Sequence, residues 1–334
     1  MRDPPFFVVG AARSGTTLLA GILGRHPRLF VAGEAHFFED VYSRRARFGD
    51  PVDRAVARRI AARLATLYGR FNEPVDQRRI ERLLEKPANL DRLLEASDYA
   101  AALDAFMRLQ ADALGRARWG NHVPKDVFFL GEIHDSFPGA RVLICVRDPR
   151  DFLCSYRRQW QTATPESAER KRRLYHPILA SLLWRASMKC AAAALAARPA
   201  SFRVVRYESL VTNPEAEVRE VCAFLDEPFD AEMLEVRGHN SSFDVDTDGI
   251  FDASVGRWRT ELGREEVYLA QRVVGRELER AGYTRQAVRP HLPRLAALVC
   301  SLPYAAVRAA VASRHRRAPL LAYLTRRLGA LLPR

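Results

Sequence analysis

The chain has 334 residues and a mass of 37.8 kDa, enough to bury a large core without disulfides or structural metals. Its composition, 48% hydrophobic and 28% charged, is typical of a globular protein and excludes a disordered or collagen-like chain. The net charge of +13 invites a nucleic-acid or anionic-membrane partner. However, residues 285–334 hold ten arginines and no acidic residue, so residues 1–284 carry 43 basic and 40 acidic side chains. The basic excess therefore belongs to a C-terminal tail. No recognised nucleic-acid motif accompanies it, which argues against a nucleic-acid partner.

The predicted elements begin with a buried strand, a glycine-bounded loop and a helix. Residues 5–10 (PFFVVG) are apolar and rich in aromatic and β-branched side chains, which favours a buried parallel strand. The next residues have apolar side chains at helical spacing up to Gly24 and Pro27. Similar patterns predict strands near 29–33, at 140–146 and at 202–210, and helices after 147, at 176–199 and at 213–228. This alternation predicts an α/β fold with a P-loop-like parallel sheet flanked by helices.

Two segments depart from this alternation. Residues 51–118 carry several amphipathic helical patterns and are predicted to be a helical insertion in a main domain of residues 1–284. Residues 285–334 are predicted to form a basic amphipathic helical tail. The longest apolar run of the tail, 295–307, contains a proline and falls short of the roughly 18–20 apolar residues that a membrane span needs. The polar, Gly- and Asp-rich segment 238–249 predicts a loop.

The cysteines and histidines predict neither disulfides nor a metal site. The five cysteines are dispersed without a CxxC pair, and the N-terminal apolar run is too short for an export signal. These features favour free thiols in a reducing, cytoplasmic compartment. The eight histidines form no HExxH motif and no cluster with cysteines.

The first loop has the features of an anion-binding turn. Residues 10–17 (GAARSGTT) connect a strand to a helix N-terminus, where backbone N–H groups and the helix dipole favour an anion. The spacing of the two glycines matches a Walker A loop, but Thr16 stands where a lysine would reach the terminal phosphate of a nucleoside triphosphate. Arg13 supplies a cation instead. A tight turn with a capping serine is the structural alternative.

The segment VVGAARSGTTLLAGILGRHP resembles the 5′-phosphosulfate-binding loop of the sulfotransferase family, whose members use 3′-phosphoadenosine 5′-phosphosulfate (PAPS). The segment VLICVRDPRDFLCSY resembles the family's 3′-phosphate motif, an arginine at a strand end with a serine eight residues later. Arg147 and Ser155 occupy these positions. An arginine at the carboxyl end of a parallel strand lies where ligands bind in open α/β sheets, and it can grip a phosphate with two hydrogen bonds. A local ion pair between Arg147 and Asp148 is the structural alternative.

Two weaker segments extend the resemblance to roughly residues 5–262. RVVRYESLVTNP is similar to the family's third core strand and the turn after it, which implies that Tyr207 lies near the nucleotide. SVGRWRTEL is similar to the late loop that closes over the nucleotide, although Trp258 alternatively serves packing. The resemblance implies the following nucleotide-binding residues: Arg13, Ser14, Gly15, Thr16, Thr17, Arg147, Ser155, Tyr207, Ser254, Arg257 and Trp258.

Sulfuryl transfer needs a base for the acceptor hydroxyl, cations for the transferred group and donors that hold the leaving nucleotide. Glu34 is the predicted base, since it follows the returning strand and tyrosylprotein sulfotransferases, which the chain resembles, carry a catalytic Glu in this region. His36 is the alternative, because some carbohydrate sulfotransferases use His and an imidazole titrates near neutral pH. Arg13 and Lys125 are the predicted catalytic cations, and the Lys-Asp pair at Lys125 resembles the tyrosylprotein sulfotransferase pattern.

The loop departs from that of the cytosolic small-molecule sulfotransferases, which carry lysine where Arg13 stands. No Lys-x-His pair matches theirs either, so the phenol and steroid acceptors of that group are not implied. The predicted acceptor is a hydroxyl of a carbohydrate, a glycolipid or a peptide tyrosine, with PAPS as donor and no metal. Two other functions stay open: a P-loop nucleotide kinase or NTPase, which the missing Walker lysine disfavours, and a non-catalytic basic protein that binds anions or membranes.

The tail has two structural interpretations. Its arginine clusters and its apolar face (Leu320, Leu321, Leu324 and Leu328) are typical of a helix that lies on an anionic membrane. Packing on the body or oligomerisation is the alternative, with arginines beside the carbonyl dipoles of helix ends. The predicted location is the cytoplasm, with the tail at the inner face of the membrane under the first interpretation.

Overall fold

A parallel five-stranded sheet forms the centre of the described part of the chain. The computed structural model describes residues 3–71, 74–161, 163–236, 249–313 and 320–331. The strands are β1 (Phe6–Gly10), β2 (Leu29–Ala32), β3 (Arg118–His122), β4 (Arg141–Val146) and β5 (Phe202–Arg206), in the order β2-β3-β1-β4-β5. All neighbouring pairs are parallel. The mixed α/β class predicted from the sequence is therefore confirmed.

Helices cover both faces of this sheet. The first group is α1 (Thr16–Arg25), α2 (Phe37–Asp40), α3 (Arg45–Phe48), α4 (Arg54–Phe71), α5 (Pro74–Leu84), α6 (Pro87–Leu94) and α7 (Tyr99–Ala113). The second group is α8 (Leu130–Ser136), α9 (Pro149–Arg158), α10 (Pro165–Arg172), α11 (Pro177–Ala197), α12 (Tyr207–Thr212) and α13 (Pro214–Leu225). The last group is α14 (Trp258–Glu261), α15 (Arg264–Val274), α16 (Glu277–Arg280), α17 (Leu292–Cys300), α18 (Leu302–Ser313) and α19 (Leu320–Gly329).

The central strand β1 divides the core in two because its side chains alternate across the sheet. Phe7 and Val9 pack with side chains of α4, α7 and α11 in the larger cluster. Phe6 and Val8 face the opposite way and pack with side chains of α1 and α13. All four side chains are fully buried, as the continuous apolar run of a parallel strand predicts. The helices α4–α7, in the segment predicted to be an insertion, thus lie on the face opposite α1 and α13.

The strand β3 departs from the sequence prediction, which placed no strand there. Its residues, RWGNH, are mostly polar and lack the apolar or alternating pattern by which strands are recognised. They are nevertheless all buried, since β3 lies between β1 and β2. Gly120 is required at its centre, because a Cβ there would lie 2.2 Å from the ring of Phe6. Tertiary packing, rather than local pattern, therefore decides this strand.

One further boundary differs from the predictions. The strand predicted at 202–210 ends at Arg206, and Tyr207 begins the short helix α12. Residues 238–248 of the predicted loop lie outside the described residues. The predicted helices at 176–199 and 213–228 correspond to α11 and α13.

The tail packs on the body through polar contacts. Arg326 donates to the backbone oxygen of Phe128 at 2.9 Å and pairs with Glu132 at 2.6 Å. Arg308 donates to the backbone oxygen of Tyr175 at 2.8 Å, and Ser301 lies 3.2 Å from the imidazole of His176. The packing interpretation is thus correct for these contacts.

The outer side of the tail is apolar and exposed. Leu292, Tyr304 and Val307 are 72%, 71% and 64% exposed. Two helical stretches of the described residues are long and apolar enough to cross a membrane by length and composition alone, α11 and the joined α17–α18. The first is a core helix, whereas only 11% of the apolar window in Leu292–Ser313 is buried. The apolar part of the tail is therefore longer than the run 295–307 had predicted.

Candidate active site

The first loop has the backbone of an anion-binding turn. Gly15, which precedes α1, has φ 89°, and a Cβ there would lie 2.5 Å from the ring of Tyr207. Thr16 and Thr17 begin the ten-residue helix α1, whose first turn contains no acidic residue to compete for its N–H groups. Ser14 is fully buried, and its Oγ has no hydrogen-bond partner within the described residues. This loop therefore offers unused donors at a positive helix end.

The two predicted phosphate motifs meet in space. Arg13 Nε donates to Ser155 Oγ at 3.1 Å, although the two residues are 142 positions apart. Arg147, at the end of β4, donates to the backbone oxygens of Ser254 at 2.9 Å and of Arg13 at 3.4 Å. Its guanidinium lies 4.2 Å from the ring centroid of Tyr207. Arg147 is buried, and its Nε has no hydrogen-bond partner among the described residues.

The alternative in which Arg147 pairs with Asp148 is wrong. Asp148 instead pairs with Arg150, whose Nε and Nη2 lie 2.9 and 2.6 Å from the two carboxylate oxygens. Burial lowers the pKa of Arg13, and the charge of Arg147 lowers it further. Asp148 therefore does not neutralise Arg147, and the guanidinium groups of Arg147 and Arg13 lie close together, an arrangement that favours a bound anion.

The segment that follows residue 249 is held against α9 by Asp151, a residue that sequence reasoning missed. Its carboxylate accepts hydrogen bonds from the backbone N–H groups of Gly256 at 2.7 Å and Trp258 at 2.9 Å. Burial raises the pKa of Asp151 to about 6, although the hydrogen bond from Trp258 and the charge of Arg147 act in the lowering direction. The second aspartate of the RDPRD motif was the available signal. Asp151 thus fixes the loop that carries Ser254.

The late-loop residues divide into two groups. Ser254 Oγ lies 2.5 Å from the hydroxyl of Tyr207, next to Arg147. Trp258 is buried against Cys154 and Val267, with the guanidinium of Arg150 over its ring at 4.0 Å. Arg257 donates to Glu261 at 2.7 Å. The structure therefore brings Ser254 to the Arg147 region and places Trp258 in packing.

Glu34 lies just beyond β2 and forms a close pair with His36. Nε2 of His36 is 2.7 Å from the Glu34 carboxylate. The His36 side chain is 4% exposed and that of Glu34 is 33% exposed, so the carboxylate faces the open side of the pair. Burial raises the pKa of Glu34, but the hydrogen bond and charge of His36, with the charges of His122 and Lys125, lower it to about 2. Glu34 is therefore ionised at any working pH.

Lys125 follows β3 in a short 3-10 turn, Pro124–Phe128. Its Nζ lies 3.4 Å from Glu39, which in turn lies 3.9 Å from Nδ1 of His36. The neighbouring Asp126 is fully buried, and burial raises its pKa well above the usual range, which favours the neutral carboxyl. Lys125 thus belongs to the Glu34 cluster and is paired with Glu39 rather than with Asp126.

Two further residues of the cleft escaped sequence reasoning. Burial and the charge of Arg13 lower the pKa of Lys171, while the charge of Glu34 raises it. Burial lowers the pKa of His122, and the charge of Glu34 again acts in the raising direction. Both side chains therefore lie within electrostatic reach of Glu34. His122 was visible only as the residue three positions before Lys125, and Lys171 only as one of four lysines.

The cleft at the carboxyl edge of the sheet consequently has two ends that share Arg13. One end holds the loop, Arg147 and Ser155, and the other holds Glu34 with its cluster. Coulombic coupling between Arg13 and Glu34 joins the two ends. Within the described ranges, no group of three or more His, Cys, Asp or Glu side chains is arranged to hold a metal ion.

Residues 4–231 match the Sulfotransferase family, so the chain belongs to this family. The match covers the sheet, the first loop, the Arg147 motif and the Glu34 cluster. The family explains why a glycine loop of Walker spacing lacks the Walker lysine, and it removes the nucleotide kinase and NTPase alternative.

Individual known proteins are similar to the chain at low sequence identity. The chain is similar to nodulation protein NoeE of Sinorhizobium fredii, with 26% identity over 295 residues, which cover 81% of this chain and 64% of that protein. The match thus spans a little under two thirds of the relative's length. The fold is similar to a sulfotransferase domain from the curacin biosynthetic pathway, with a TM-score of 0.53, 17% identity and coverage of 86% and 99% of the two chains. A sulfotransferase domain from the Synechococcus PCC 7002 olefin synthase gives a TM-score of 0.49, 22% identity and coverage of 82% and 96%.

Proposed function

We propose that the protein transfers the sulfuryl group of PAPS to a hydroxyl of a carbohydrate, a glycolipid or a peptide tyrosine. The observation that carries this proposal is the meeting of Arg13, Ser155 and Arg147 beside an ionised carboxylate, Glu34. Two arginines and the loop N–H groups suit a doubly anionic nucleotide. The Glu34 carboxylate suits the role of the base that accepts the proton of the acceptor hydroxyl.

The described residues fit the donor at both of its anionic ends. Ser14 Oγ, the N–H groups of Thr16 and Thr17, and Arg13 would hold the 5′-phosphosulfate at the start of α1. Arg147 and Ser155 would hold the 3′-phosphate, with Tyr207 and Ser254 fixing the guanidinium of Arg147. The buried Nε of Arg147 and Oγ of Ser14 have no hydrogen-bond partner among the described residues, and this supports the fit, since buried polar atoms normally have one. Arg257, which pairs with Glu261, and Trp258, which is buried in packing, are left out of this proposed nucleotide site.

When bound, PAPS supplies a sulfur whose bond to the 5′-phosphate oxygen breaks as its bond to the acceptor oxygen forms, and adenosine 3′,5′-bisphosphate leaves. Glu34 accepts the proton of the acceptor hydroxyl, because its carboxylate is ionised and is the more exposed member of the pair with His36. His36 lies behind it and fixes its orientation. This division of roles keeps Glu34 as the base and makes His36 a positioning residue.

Cations of the cleft stabilise the negative charge that develops on the transferred group and on the leaving oxygen. Arg13 is the best placed, since it belongs to the loop and is coupled to Glu34. Lys125 contributes from the Glu34 side, where its charge lowers the pKa of Glu34. Lys171 is a third cation of the same region.

The direct experiment measures nucleotide binding and sulfate transfer with the full chain. Adenosine 3′,5′-bisphosphate should raise the melting temperature, because a ligand that binds only the native state stabilises it. ATP and GTP should raise it far less. Incubation with labelled PAPS and extracts of carbohydrates, glycolipids and peptides should then label one acceptor class. Stabilisation by ATP without an effect of the bisphosphate would refute the proposal.

We further propose that the protein works in the cytoplasm, with its tail at the inner face of an anionic membrane. The exposed apolar side chains of α17 and α18 support this location, as does the lack of acidic residues in 285–334. An apolar helix face flanked by arginines is typical of peripheral attachment to anionic lipids.

A further inference from the structure

An aliphatic cavity of about 270 Å³ lies between the body and the tail. Its walls come from α9, the segment before α11, α11 itself, and the tail helices α18 and α19 with Leu331 just beyond. Eleven of its fourteen lining residues are leucine or alanine, and the others are Tyr156, Ser313 and Arg327. Its volume is close to the lower limit of about 300 Å³ for sites that enclose a small molecule, so it suits part of a ligand.

The cavity adjoins the acceptor end of the cleft through Arg327. This arginine lines the cavity, is 7% exposed, and lies over the ring of Phe128 at 4.5 Å. Its Nη2 is 3.6 Å from Glu39, the carboxylate that also contacts Lys125. The side chain of Arg327 therefore contacts both the aliphatic cavity and the Glu34 cluster.

The cavity walls formed by α9 and α11 adjoin residues of the nucleotide end of the cleft. Tyr156 lines the cavity and directly follows Ser155, which accepts the hydrogen bond from Arg13. Ala180 and Leu183 of the cavity flank Trp184 on α11, and the indole of Trp184 donates to the backbone oxygen of Arg147 at 3.0 Å. Helices α9 and α11, which line the cavity, thus also carry Ser155 and Trp184, whose side chains contact Arg13 and Arg147 at the donor end of the cleft.

We propose that this cavity holds the aliphatic chain of the acceptor, so that the substrate is a hydroxyl compound carrying an alkyl or acyl chain. The inference rests on the proposed sulfotransferase function and deepens it by naming the acceptor class. A cavity lined by leucine and alanine offers water few hydrogen-bond partners, whereas it suits methylene groups. Arg327 lies at the polar end of the cavity, where the aliphatic chain of the acceptor would end and its head group would enter the cleft.

The surroundings of the cavity favour an amphiphile over a water-soluble acceptor. Helix α18 contributes Ala306 and Ala310 to the cavity wall and exposes Val307 and Tyr304 on its outer side. Helix α18 can thus contact a lipid surface on one side and the aliphatic chain of a bound acceptor on the other. The absence of acidic residues from 285–334 also suits an approach to anionic lipids.

The test compares two acceptors that share a head group, decyl β-D-glucoside below its critical micelle concentration and methyl β-D-glucoside. Isothermal titration calorimetry on the full chain should show the decyl compound binding at least about 100-fold more tightly, because each buried methylene contributes roughly four-fold. Ala310→Trp, which fills the cavity, should weaken decyl glucoside binding by at least about ten-fold. Ala306→Trp, at the exposed rim, is a second filling variant in case the first fails to fold. Val307→Trp on the outer side of α18 is the matched control and should bind as the wild type does.

Adenosine 3′,5′-bisphosphate is titrated into the same samples, so that the two proposals fail separately. Unchanged bisphosphate affinity in every variant, with decyl glucoside affinity lost only in the filled ones, supports the cavity as the acceptor site. Equal affinity for the two glucosides, or full decyl glucoside affinity in folded Ala310→Trp and Ala306→Trp, overturns it while bisphosphate binding leaves the sulfotransferase proposal standing. Wild type that binds no bisphosphate refutes the proposed function itself. If filling the cavity weakens binding to phosphatidylglycerol vesicles alone, the cavity is a membrane anchor and the acceptor proposal is wrong.

Discussion

At the scale of single residues, the Glu34–His36 pair decides what the cleft can do. Burial raises the pKa of Glu34, whereas the neighbouring side chains lower it. The neighbours have the larger combined effect, so the pKa falls to about 2. A carboxylate with so low a pKa is always ionised but is a weak base. Its function as a base therefore depends on how the carboxylate is positioned against the acceptor hydroxyl. It also depends on the complex with both substrates, in which the acceptor hydroxyl and the donor anion enter the same region.

Replacing Glu34 by Gln should lower kcat by roughly 10²–10⁴-fold, because the amide keeps the shape but cannot accept the proton. Binding of adenosine 3′,5′-bisphosphate and the melting temperature should change little. The matched control is Glu215→Gln, a 58% exposed surface carboxylate paired with Arg219, which should leave kcat unaltered. Rates from labelled PAPS decide the matter, and a fully active Glu34→Gln protein would remove Glu34 as the base.

Replacing His36 by Asn should change the pH profile. The substitution removes the hydrogen bond and charge that lower the pKa of Glu34, whereas burial, which raises it, remains. The pKa of Glu34 should therefore rise from about 2 towards its ordinary value of 4.5, because burial is the largest influence and only the charges of His122 and Lys125 still lower it. Protonated Glu34 cannot accept a proton, so kcat/KM of the variant should fall on acidification through that value while the wild type shows no such fall from Glu34. Unfolding must be measured at each pH, and superimposable profiles would contradict the positioning role.

At the scale of elements, the cleft consists of loops that other elements hold in place. The first loop meets the start of α12 at the contact of Gly15 with Tyr207. The late loop is held on α9 by Asp151, which accepts two backbone hydrogen bonds. Neither loop forms the nucleotide site alone, since Arg147 reaches both of them.

Gly15→Ala should destabilise the protein by at least about 1–3 kcal/mol, because φ is 89° and the new Cβ would lie 2.5 Å from the ring of Tyr207. Bisphosphate affinity should fall with it. Gly24→Ala in the same helical unit is the control, since a Cβ there meets nothing within 4 Å. Alanine at this helical position should stabilise by about 0.5–1 kcal/mol. Denaturant unfolding measures both changes, and equal effects would contradict the close-approach argument.

Asp151→Ala should release the late loop. Two N–H groups, of Gly256 and Trp258, lose their acceptor, and the cost of about 1–2 kcal/mol should appear as roughly ten-fold weaker bisphosphate binding. Asp135→Ala, an exposed aspartate of α8, provides the control. Calorimetry on both variants tests the role. Unchanged affinity in Asp151→Ala would mean that the late loop takes no part in the nucleotide site.

At the scale of the whole molecule, the tail is tied to the body on one side and exposes apolar surface on the other. Arg326 and Arg327 connect it to Phe128, Glu132 and Glu39. Residues 292–313 expose leucine, valine and tyrosine side chains. Among the described arginines of the basic tail, Arg308, Arg326 and Arg327 contact the body.

The double substitution Val299→Asp and Val307→Asp should abolish binding to phosphatidylglycerol vesicles. Both side chains are exposed, at 43% and 64%, so the fold should survive while the charges oppose insertion. Leu114→Asp, 45% exposed on the body, is the control and should bind vesicles normally. Vesicle co-sedimentation is the measurement. Wild type that ignores phosphatidylglycerol, or a double variant that still binds it, would contradict the membrane proposal.

The sequence by itself determined the class of the fold, the first loop, the Arg147 motif and the place of Glu34 after a returning strand. These features are local, because a buried parallel strand, a glycine loop and a helix start each leave a pattern within about twenty residues. The family resemblance rested on the same short segments. Composition likewise located the basic excess in the tail.

Only the tertiary structure decided how these parts combine. The polar strand β3 forms because neighbouring strands and helices bury it, and the partner of Asp148 is Arg150 rather than Arg147 because the chain turns into α9 there. The contact of Arg13 with Ser155 joins residues 142 positions apart, and Arg327 of the tail reaches Glu39 near the start of the chain. Such contacts depend on how the whole chain packs, and no pattern within a short segment encodes them.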